Sequence, residues 1–414
     1  MSPREFAIDV VRQLQRAGHS ALWAGGCVRD QLMGRNPKDY DVATSAKPDQ
    51  VRELFGRRRT LPIGASFGVI TVLGPKSAGA IEVATFRCDG DYSDGRHPDS
   101  VRFTDAREDA LRRDFTINGI FFDPLAQQVI DYVDGQTDLQ RGIIRAIGNP
   151  RDRFEEDKLR MLRAIRFATT FDFQIENDTE KALRLLAGQI RLISAERIGA
   201  ELIRLLCHVN RAKGCQLLAD SGLIEFLLPP GWFQASEWHG DSQVKRVDYL
   251  KELKIEQFEP AVYLMLKSIW DRIKMVPGTL NELQAVWRLT NQQRMTLSWI
   301  GQHWQRLVRA DQTPWCQIQP LLIHADAKAG LAVAEVLATQ RSGIEFCLER
   351  LAWPPQQLDP PWLIDGNQLI QNGLTPGPEF KQILNHIRDK QLMGEFNHRD
   401  QVISWLRQNG TFGN

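Results

Sequence analysis

The stretch from Leu22 to Ala43, LWAGGCVRDQLMGRNPKDYDVA, brings a glycine pair, an Arg-Asp pair and two alternating carboxylates into one short span. An apolar run ends at Gly25-Gly26 and opens a predicted helix over Cys27 to Met33, so backbone N–H groups face whatever lies over the glycines. Such a turn suits a phosphate group. Asp39-Tyr40-Asp41-Val42 alternates polar and apolar residues. On a strand that pattern puts both carboxylates on one face, close enough to share hard divalent cations. A triphosphate with Mg²⁺ fits the pairing. Alone, a Gly-Gly is most often a tight turn and an Asp-x-Asp a solvated strand end. The specificity lies in the combination, Gly-Gly-x-x-Arg-Asp followed nine residues after Asp30 by Asp-x-Asp.

Several predicted elements surround this stretch. Residues 3 to 18 read as an amphipathic helix with Phe6, Val10, Val11 and Leu14 on one face, ending at Gly18. Ser45 to Phe55 reads as a second helix capped by Ser45. Strand-like runs follow at Leu61 to Ile63, Gly68 to Leu73 and Ala80 to Phe86, separated by glycine- and proline-bearing turns. Glu82 is the one carboxylate in the last run. It reads either as a solvated glutamate on an edge strand or as a third acid beside Asp39 and Asp41. Arg57-Arg58-Arg59 reads as a solvated basic block, residues 87 to 103 as a polar loop, and 119 to 122 as a further apolar strand.

Residues 154 to 170, FEEDKLRMLRAIRFATT, contain neither proline nor glycine and read as one continuous helix. At about 100° per residue, Asp157, Arg160 and Arg163 span roughly 120° of its surface and can converge on one planar ligand. Arg166 falls opposite Asp157, which suits a phosphate contact or a structural salt bridge. A solvated charged face explains many such helices. The residue types also suit base recognition, because cytosine and adenine both present an exocyclic amino donor beside a ring-nitrogen acceptor, a pattern uracil and guanine reverse. One carboxylate and one guanidinium therefore select C and A.

From Thr179 onward helical patterns dominate, and ten of the eleven tryptophans lie beyond residue 230, which predicts a second core rich in large aromatics. A proline-rich link, Trp353 to Pro361, sets off a last segment with a helix over Phe380 to Lys390. The chain has 414 residues and a net charge of +1, enough for roughly two to four domains and no argument for nucleic acid from overall charge. Six scattered cysteines, with no C-x-x-C or Cys/His cluster, argue against a disulfide framework and a zinc site and predict a reducing cytoplasm. No run of about eighteen apolar residues predicts a membrane span, and the charged N-terminus does not read as a signal peptide. Nothing in the pattern specifies an oligomeric state.

The Leu22 to Ala43 segment resembles the active-site signature of nucleotidyltransferases related to DNA polymerase β, in the form shared by class II CCA-adding enzymes and bacterial poly(A) polymerases. The resemblance implies an α+β fold, with a small mixed-sheet nucleotidyltransferase head over 1–145 followed by an all-α neck (146–210), body (211–352) and RNA-binding tail (353–414). It implies Asp39 and Asp41 as metal ligands, Glu82 as a third catalytic acid, Mg²⁺ as the cofactor, and Gly25, Gly26 and Arg29 as triphosphate contacts. The Arg-Arg-Asp-x-Thr-Ile-Asn run at 112 to 118 is similar to a family segment that puts Arg113 on phosphate or sugar. The Glu-Asp-x-x-Arg-x-x-Arg run resembles the nucleotide-selecting motif, giving Asp157 and Arg160 the base-reading roles beside Arg163 and Arg166; Lys158 stands where the motif usually has proline. The D-x-R-x-P-D-x-V-x-F ending at Asp94 to Phe103 is similar to a loop of class II CCA-adding enzymes needed for the final A. Gly56-Arg57-Arg58-Arg59 carries half of a poly(A) polymerase signature, since Arg59 replaces its phenylalanine. The implied activity is template-independent addition of CCA, or its terminal A, to the 3′ end of tRNA from CTP and ATP. Alternatives are an A-adding partner of a CC-adding enzyme, a poly(A) polymerase, and a catalytically dead RNA-binding protein.

Overall fold

The computed structural model describes residues 1–90, 100–372, 374, 376–377 and 379–408. The chain divides into two compact units, one comprising Met1–His239 with Ala285–Arg288 and the other Gly240–Gln284 with Leu289–Asn414.

The first unit opens with α1 (Pro3–Arg16), β1 (Ala21–Ala24), α2 (Gly26–Leu32), β2 (Asp41–Thr44), α3 (Pro48–Phe55), β3 (Thr60–Leu61), β4 (Val69–Leu73) and β5 (Ala80–Thr85). It continues through β6 (Arg87–Asp89), β7 (Val101–Phe103), α4 (Ala106–Leu111), β8 (Phe121–Asp123), β9 (Gln128–Ile130), α5 (Gly135–Arg141) and β10 (Ile143–Ile144). A seven-stranded mixed sheet in the order β3-β4-β5-β2-β1-β8-β9 forms its frame. The class is α+β, as expected. β1 is buried along its whole length and pairs antiparallel with both β2 and β8. Trp23 on this strand is fully buried and packs on Tyr40 and Phe122, with ring centroids 4.8 Å and 5.7 Å apart.

Helix α1 starts as its sequence dictates. Ser2 and Glu5 form a reciprocal capping box, Pro3 occupies the first turn, and Phe6, Ala7, Val10, Val11 and Leu14 make the buried face. These side chains enter the same core as Trp23, Val42, Ile70 and Val83, each large one contributing about 1.5–3 kcal/mol by leaving water. Ser45 does not cap α3. Its hydroxyl accepts the Ser20 N–H at 2.9 Å instead, and Lys47 is the N-cap, with its backbone N–H donating to Gln50 Oε1 at 2.8 Å. Pro48 fixes the first turn two residues later than a Ser45 cap would place it.

Helices α6 (Pro150–Glu156) and α7 (Leu159–Phe171) replace the single helix expected over 154 to 170. Asp157 is extended (φ −140°, ψ 104°), and its Oδ1 accepts the Leu159 N–H at 3.0 Å. Asp competes in this way for nearby backbone donors and so favours helix ends over interiors. The strand β11 (Gln174–Ile175) then pairs with β10, and α8 (Asn177–Leu186), α9 (Ala195–Leu206), α10 (Arg211–Asp220), α11 (Leu223–Leu227) and α12 (Ala235–Trp238) complete the unit.

The second unit is helical, beginning with α13 (Asp241–Glu252), α14 (Phe258–Met265) and α15 (Lys267–Ile273). The aromatic core expected there is present: Trp270 is buried, and Trp299, Trp304 and Trp315 pack around Leu307, Ile318 and Ile344. A separate terminal cluster gathers Ile364, Leu369, Ile387, Val402 and Leu406. Leu14, in the first unit, is fully buried in the sheet core. Leu14→Ala should lower the unfolding free energy by about 3 kcal/mol in urea titrations, whereas a loss under about 1 kcal/mol would mean that α1 does not hold this core.

Candidate active site

The carboxylates are positioned by strand pairing. β2 lies parallel to β5 in a register that sets Asp41 directly beside Glu82, and antiparallel to β1 so that Asp41 also faces Ala24, the residue before Gly25. β5 is interior, between β4 and β2, so Glu82 is not the edge-strand glutamate that was one reading of its sequence. Asp39 precedes the strand in a bend. The alternation nevertheless holds in burial, with Asp39 and Asp41 exposed and Tyr40 and Val42 buried. The two-residue period therefore marked the correct face although the ladder starts only at Asp41.

Gly25 links β1 to α2 with φ 69° and ψ −128°, a conformation that non-glycine residues rarely adopt. A Cβ there would also stand 3.1 Å from Arg113 Nη1. Glycine is thus demanded by both backbone and neighbour.

Desolvation by the surrounding protein, then the adjacent Glu82 carboxylate, push Asp41 up to about 6; Arg113 opposes them and Asp39 adds a little more. The side chain still opens to solvent on the cleft side. Among the described residues no group of three His, Cys, Asp or Glu side chains forms a ready metal cage. The donor set still fits a hard divalent ion: all are carboxylate oxygens, and their crowding is the repulsion such a cation relieves.

Beside Asp41 opens a cleft of about 500 Å³ lined by Gly25, Gly26, Arg29, Arg113, Asp157, Arg160, Arg163 and Arg166, all of them singled out in the sequence. That size suits a bound small molecule. Asp39 and Glu82 do not line it. Its walls also contain Arg112, Asp114, Asn118 and Phe167, which sequence reasoning did not assign a site role. The Arg-Arg-Asp-x-x-x-Asn spacing was the available signal for three of these.

The arginines are held by a carboxylate lattice. Arg29 donates through Nε and Nη2 to Asp30 Oδ1 at 2.9 and 2.7 Å and through Nη1 to Asn118 Oδ1 at 2.7 Å, while its guanidinium lies 4.5 Å from the Phe171 ring. Arg113 and Arg112 share buried Asp109, at 2.9 and 2.7 Å. Burial raises the Asp109 carboxyl, but these two arginines outweigh it and the net shift is downward. Asp114 behaves likewise: burial pushes it up, yet Arg163, with Nε at 3.0 Å, and the Asn118 amide hold it down at about 2.

Asp157 stands on the turn between α6 and α7 and not on a helix face, yet it lines the cleft with Arg160 and Arg163. Arg197 Nη2 donates to its Oδ2 at 2.7 Å, and its Oδ1 accepts the Leu159 N–H at the start of α7. Carboxylate oxygens offer about four lone-pair sites, so acceptor capacity remains for a ligand amino group. Arg160 is buried and spends three bonds on Glu156 Oε2 and the Arg153 and Arg112 carbonyls. About two of its five N–H donors are left for a ligand. Arg166 pairs with Glu201, one of the two roles its position suited, but it also lines this cleft rather than facing away from Asp157. The tip of the loop containing Asp94 to Asp99 lies outside the described residues; β6 and β7 form the hairpin at its base.

Sheet and cleft together define a nucleotidyltransferase head of the polymerase type. Residues 21–145 match the model of the poly A polymerase head domain, and 172–233 match that of the probable RNA- and SrmB-binding site of polymerase A. The chain is 30% identical over 399 residues to the CCA-adding enzyme of Lactobacillus delbrueckii subsp. bulgaricus, covering 96% of each, and 30% identical over 408 residues to that of Enterococcus faecalis. It is 41% identical to the CCA-adding enzyme of Geobacillus thermodenitrificans over 237 residues, a match that spans only 57% of either chain. The crystal structure of the Bacillus stearothermophilus CCA-adding enzyme in complex with CTP superposes with a TM-score of 0.80 at 28% identity, covering 99% of this chain and 98% of that one. The protein belongs to the CCA-adding enzyme family.

A carboxyl with a raised pKa in the fold favours the protonated state there, so its ionisation costs stability as pH rises from about 4 to about 6. Asp41→Asn should therefore raise Tm relative to wild type above about pH 6 and leave it unchanged below about pH 4. Equal Tm values at about pH 8 would refute the raised pKa of Asp41 that desolvation and the Glu82 charge produce.

Proposed function

We propose that the protein is a template-independent nucleotidyltransferase that builds CCA at the 3′ end of tRNA from CTP and ATP. The observation that carries this reading is the single cleft in which the glycine turn and Asp41 meet Asp157 and Arg160. One end supplies groups for nucleotidyl transfer and the other supplies groups for choosing the base.

In this reading the RNA 3′-hydroxyl attacks the α-phosphorus of CTP or ATP and pyrophosphate leaves. Mg²⁺ held by Asp39 and Asp41, with Glu82 beside them, would supply activation of the hydroxyl and neutralisation of the leaving group. The chain's own side chains bind and orient. Gly25 and Gly26 allow the triphosphate close to the backbone, and Arg29 and Arg113 balance its charge. Asp157 accepts from the exocyclic amino group of C or A while Arg160 donates to the ring nitrogen. Arg163 and Arg166 complete the cationic wall. Fixing these groups before the substrate arrives reduces the ordering cost of binding. Head (1–145), neck (146–210), body (211–352) and tail (353–414) are our proposed division of labour, with a reducing cytoplasm as the setting; among the described residues no cysteine is in a disulfide.

The decisive experiment supplies three RNAs: tRNA lacking CCA, tRNA lacking only the final A, and an unrelated RNA. CTP and ATP incorporation into the first should restore CCA and stop. Addition restricted to the second would make the protein an A-adding partner, long A-tails on the third a poly(A) polymerase, and no Mg²⁺-dependent incorporation a non-enzymatic RNA-binding protein. Asp39→Ala should cut turnover on the order of 10³-fold while the circular dichroism spectrum stays unchanged. Asp157→Ala should reduce the preference for CTP and ATP over UTP and GTP by about 1–3 kcal/mol, read from kcat/KM ratios; retained selectivity would remove Asp157 from base reading.

A further inference from the structure

The second unit contains a charged groove outside the catalytic cleft, between α13 and the junction of α14 with α15. Ser242, Lys245, Arg246 and Tyr249 follow the i, i+3, i+4, i+7 spacing of one helix face. Lys267, Ser268 and Asp271 line the opposite wall, and the groove measures about 260 Å³. Three cations, three hydroxyl groups and one carboxylate thus converge in a chain whose total charge is only +1.

Arg246 is 3% exposed and fixed in place. Its Nε donates to the Met265 carbonyl at 2.7 Å and its Nη2 to Ser268 Oγ at 3.0 Å. A helix-end carbonyl and a serine thereby anchor a full positive charge at the groove floor. Lys245 is exposed at the rim. The Lys267 side chain is 17% exposed, and its Nζ sits 2.5 and 2.6 Å from the two oxygens of Asp271, whose own side chain is 66% exposed. An ammonium so desolvated needs an anion. Asp271 supplies one from a solvated position that it can leave at little cost.

We propose that this groove is a phosphoryl-anion site in which Asp271 stands in for the ligand. A phosphoryl group carries up to two charges and three acceptor oxygens, which suits Lys245, Arg246 and Lys267 together with the serine hydroxyls. Binding displaces Asp271 from Lys267. The anion is either a free phosphoryl compound or a backbone phosphate of RNA. The site does not depend on the nucleotidyl-transfer reading, because its residues lie outside the catalytic cleft.

The test is hydrogen exchange on the full chain, read over residues 241 to 273, with pyrophosphate as the probe against sodium chloride of equal ionic strength. Pyrophosphate should slow exchange in α13 and α15. Lys245→Ala, a change at an exposed position, should weaken the protection at least threefold in half-saturating concentration. Asp271→Asn should strengthen it by a similar factor, a reversal that a purely structural Lys267–Asp271 pair would not produce. Filter binding of tRNA separates the sources. If Lys245→Ala reduces the salt slope of RNA binding by about 1 and RNA protects the same peptides, the anion is a backbone phosphate. If RNA affinity is unchanged while pyrophosphate protects, it is a free phosphoryl compound. Absence of protection by both pyrophosphate and RNA overturns the proposal, as does Asp271→Asn leaving the pyrophosphate midpoint unmoved. Repeating the exchange measurement in the Asp39→Ala background keeps its outcome separate from success or failure of catalysis.

Discussion

Two carboxylates that repel each other sit side by side because β2 and β5 run parallel with Asp41 opposite Glu82. Folding alone would not favour that pairing: desolvation first, and then the neighbouring Glu82 charge, raise the Asp41 carboxyl. What keeps it in place is the apolar register around it. Val42 and Val83 are neighbours in the same ladder, both essentially inaccessible, and they belong to the core that also takes Trp23 and the apolar face of α1. A one-residue slip would turn those valines outward and the acids inward. The hydrophobic pattern therefore holds the two carboxylates together, a crowding that a divalent cation would relieve.

The cleft next to it applies the opposite logic. Arg29, Arg112, Arg113, Arg163 and Arg166 would repel one another if gathered without counter-ions. Asp30, Asp109, Asp114 and Glu201 are placed behind them, each accepting from at least one guanidinium. These acids keep the cations in fixed orientation and leave a wall of net positive character toward the cleft. Buried ion pairs of this kind contribute little net stability because desolvation offsets attraction. Their value here is orientation: an arginine already held in a fork presents its remaining donors without a further ordering cost. The groove at α13 and α15 uses the same principle on a smaller scale, with Arg246 anchored by a carbonyl and a hydroxyl and Lys267 matched by Asp271.

The sequence made the chemistry legible where residue type and short spacing suffice. Gly25-Gly26, Asp39/Asp41 and the Asp157/Arg160 pair were visible because each depends on neighbours within a few positions, and the amphipathic face of α1 was visible because burial repeats with the helix. Local competition for hydrogen bonds was harder to see. At Asp157 the side chain takes a backbone donor and ends a helix that the apolar repeat alone would continue, and at Ser45 the hydroxyl is drawn to Ser20 rather than to the following turn. Asp114 and Asn118 went unassigned because their partners, Arg163 and Arg29, lie 49 and 89 positions away.

By itself, then, the sequence determined the residue types able to bind a triphosphate and a divalent cation, the α+β class, and a helical second half rich in buried aromatics. Only the tertiary structure decided that Glu82 lies on an interior strand beside Asp41, that Asp157 and Asp41 line one cleft, and which carboxylate restrains which arginine. The physical reason is range. Helix periodicity, turn chemistry and alternation are properties of adjacent residues, whereas strand order and long-range ion pairing arise only when the whole chain has closed and desolvated its core.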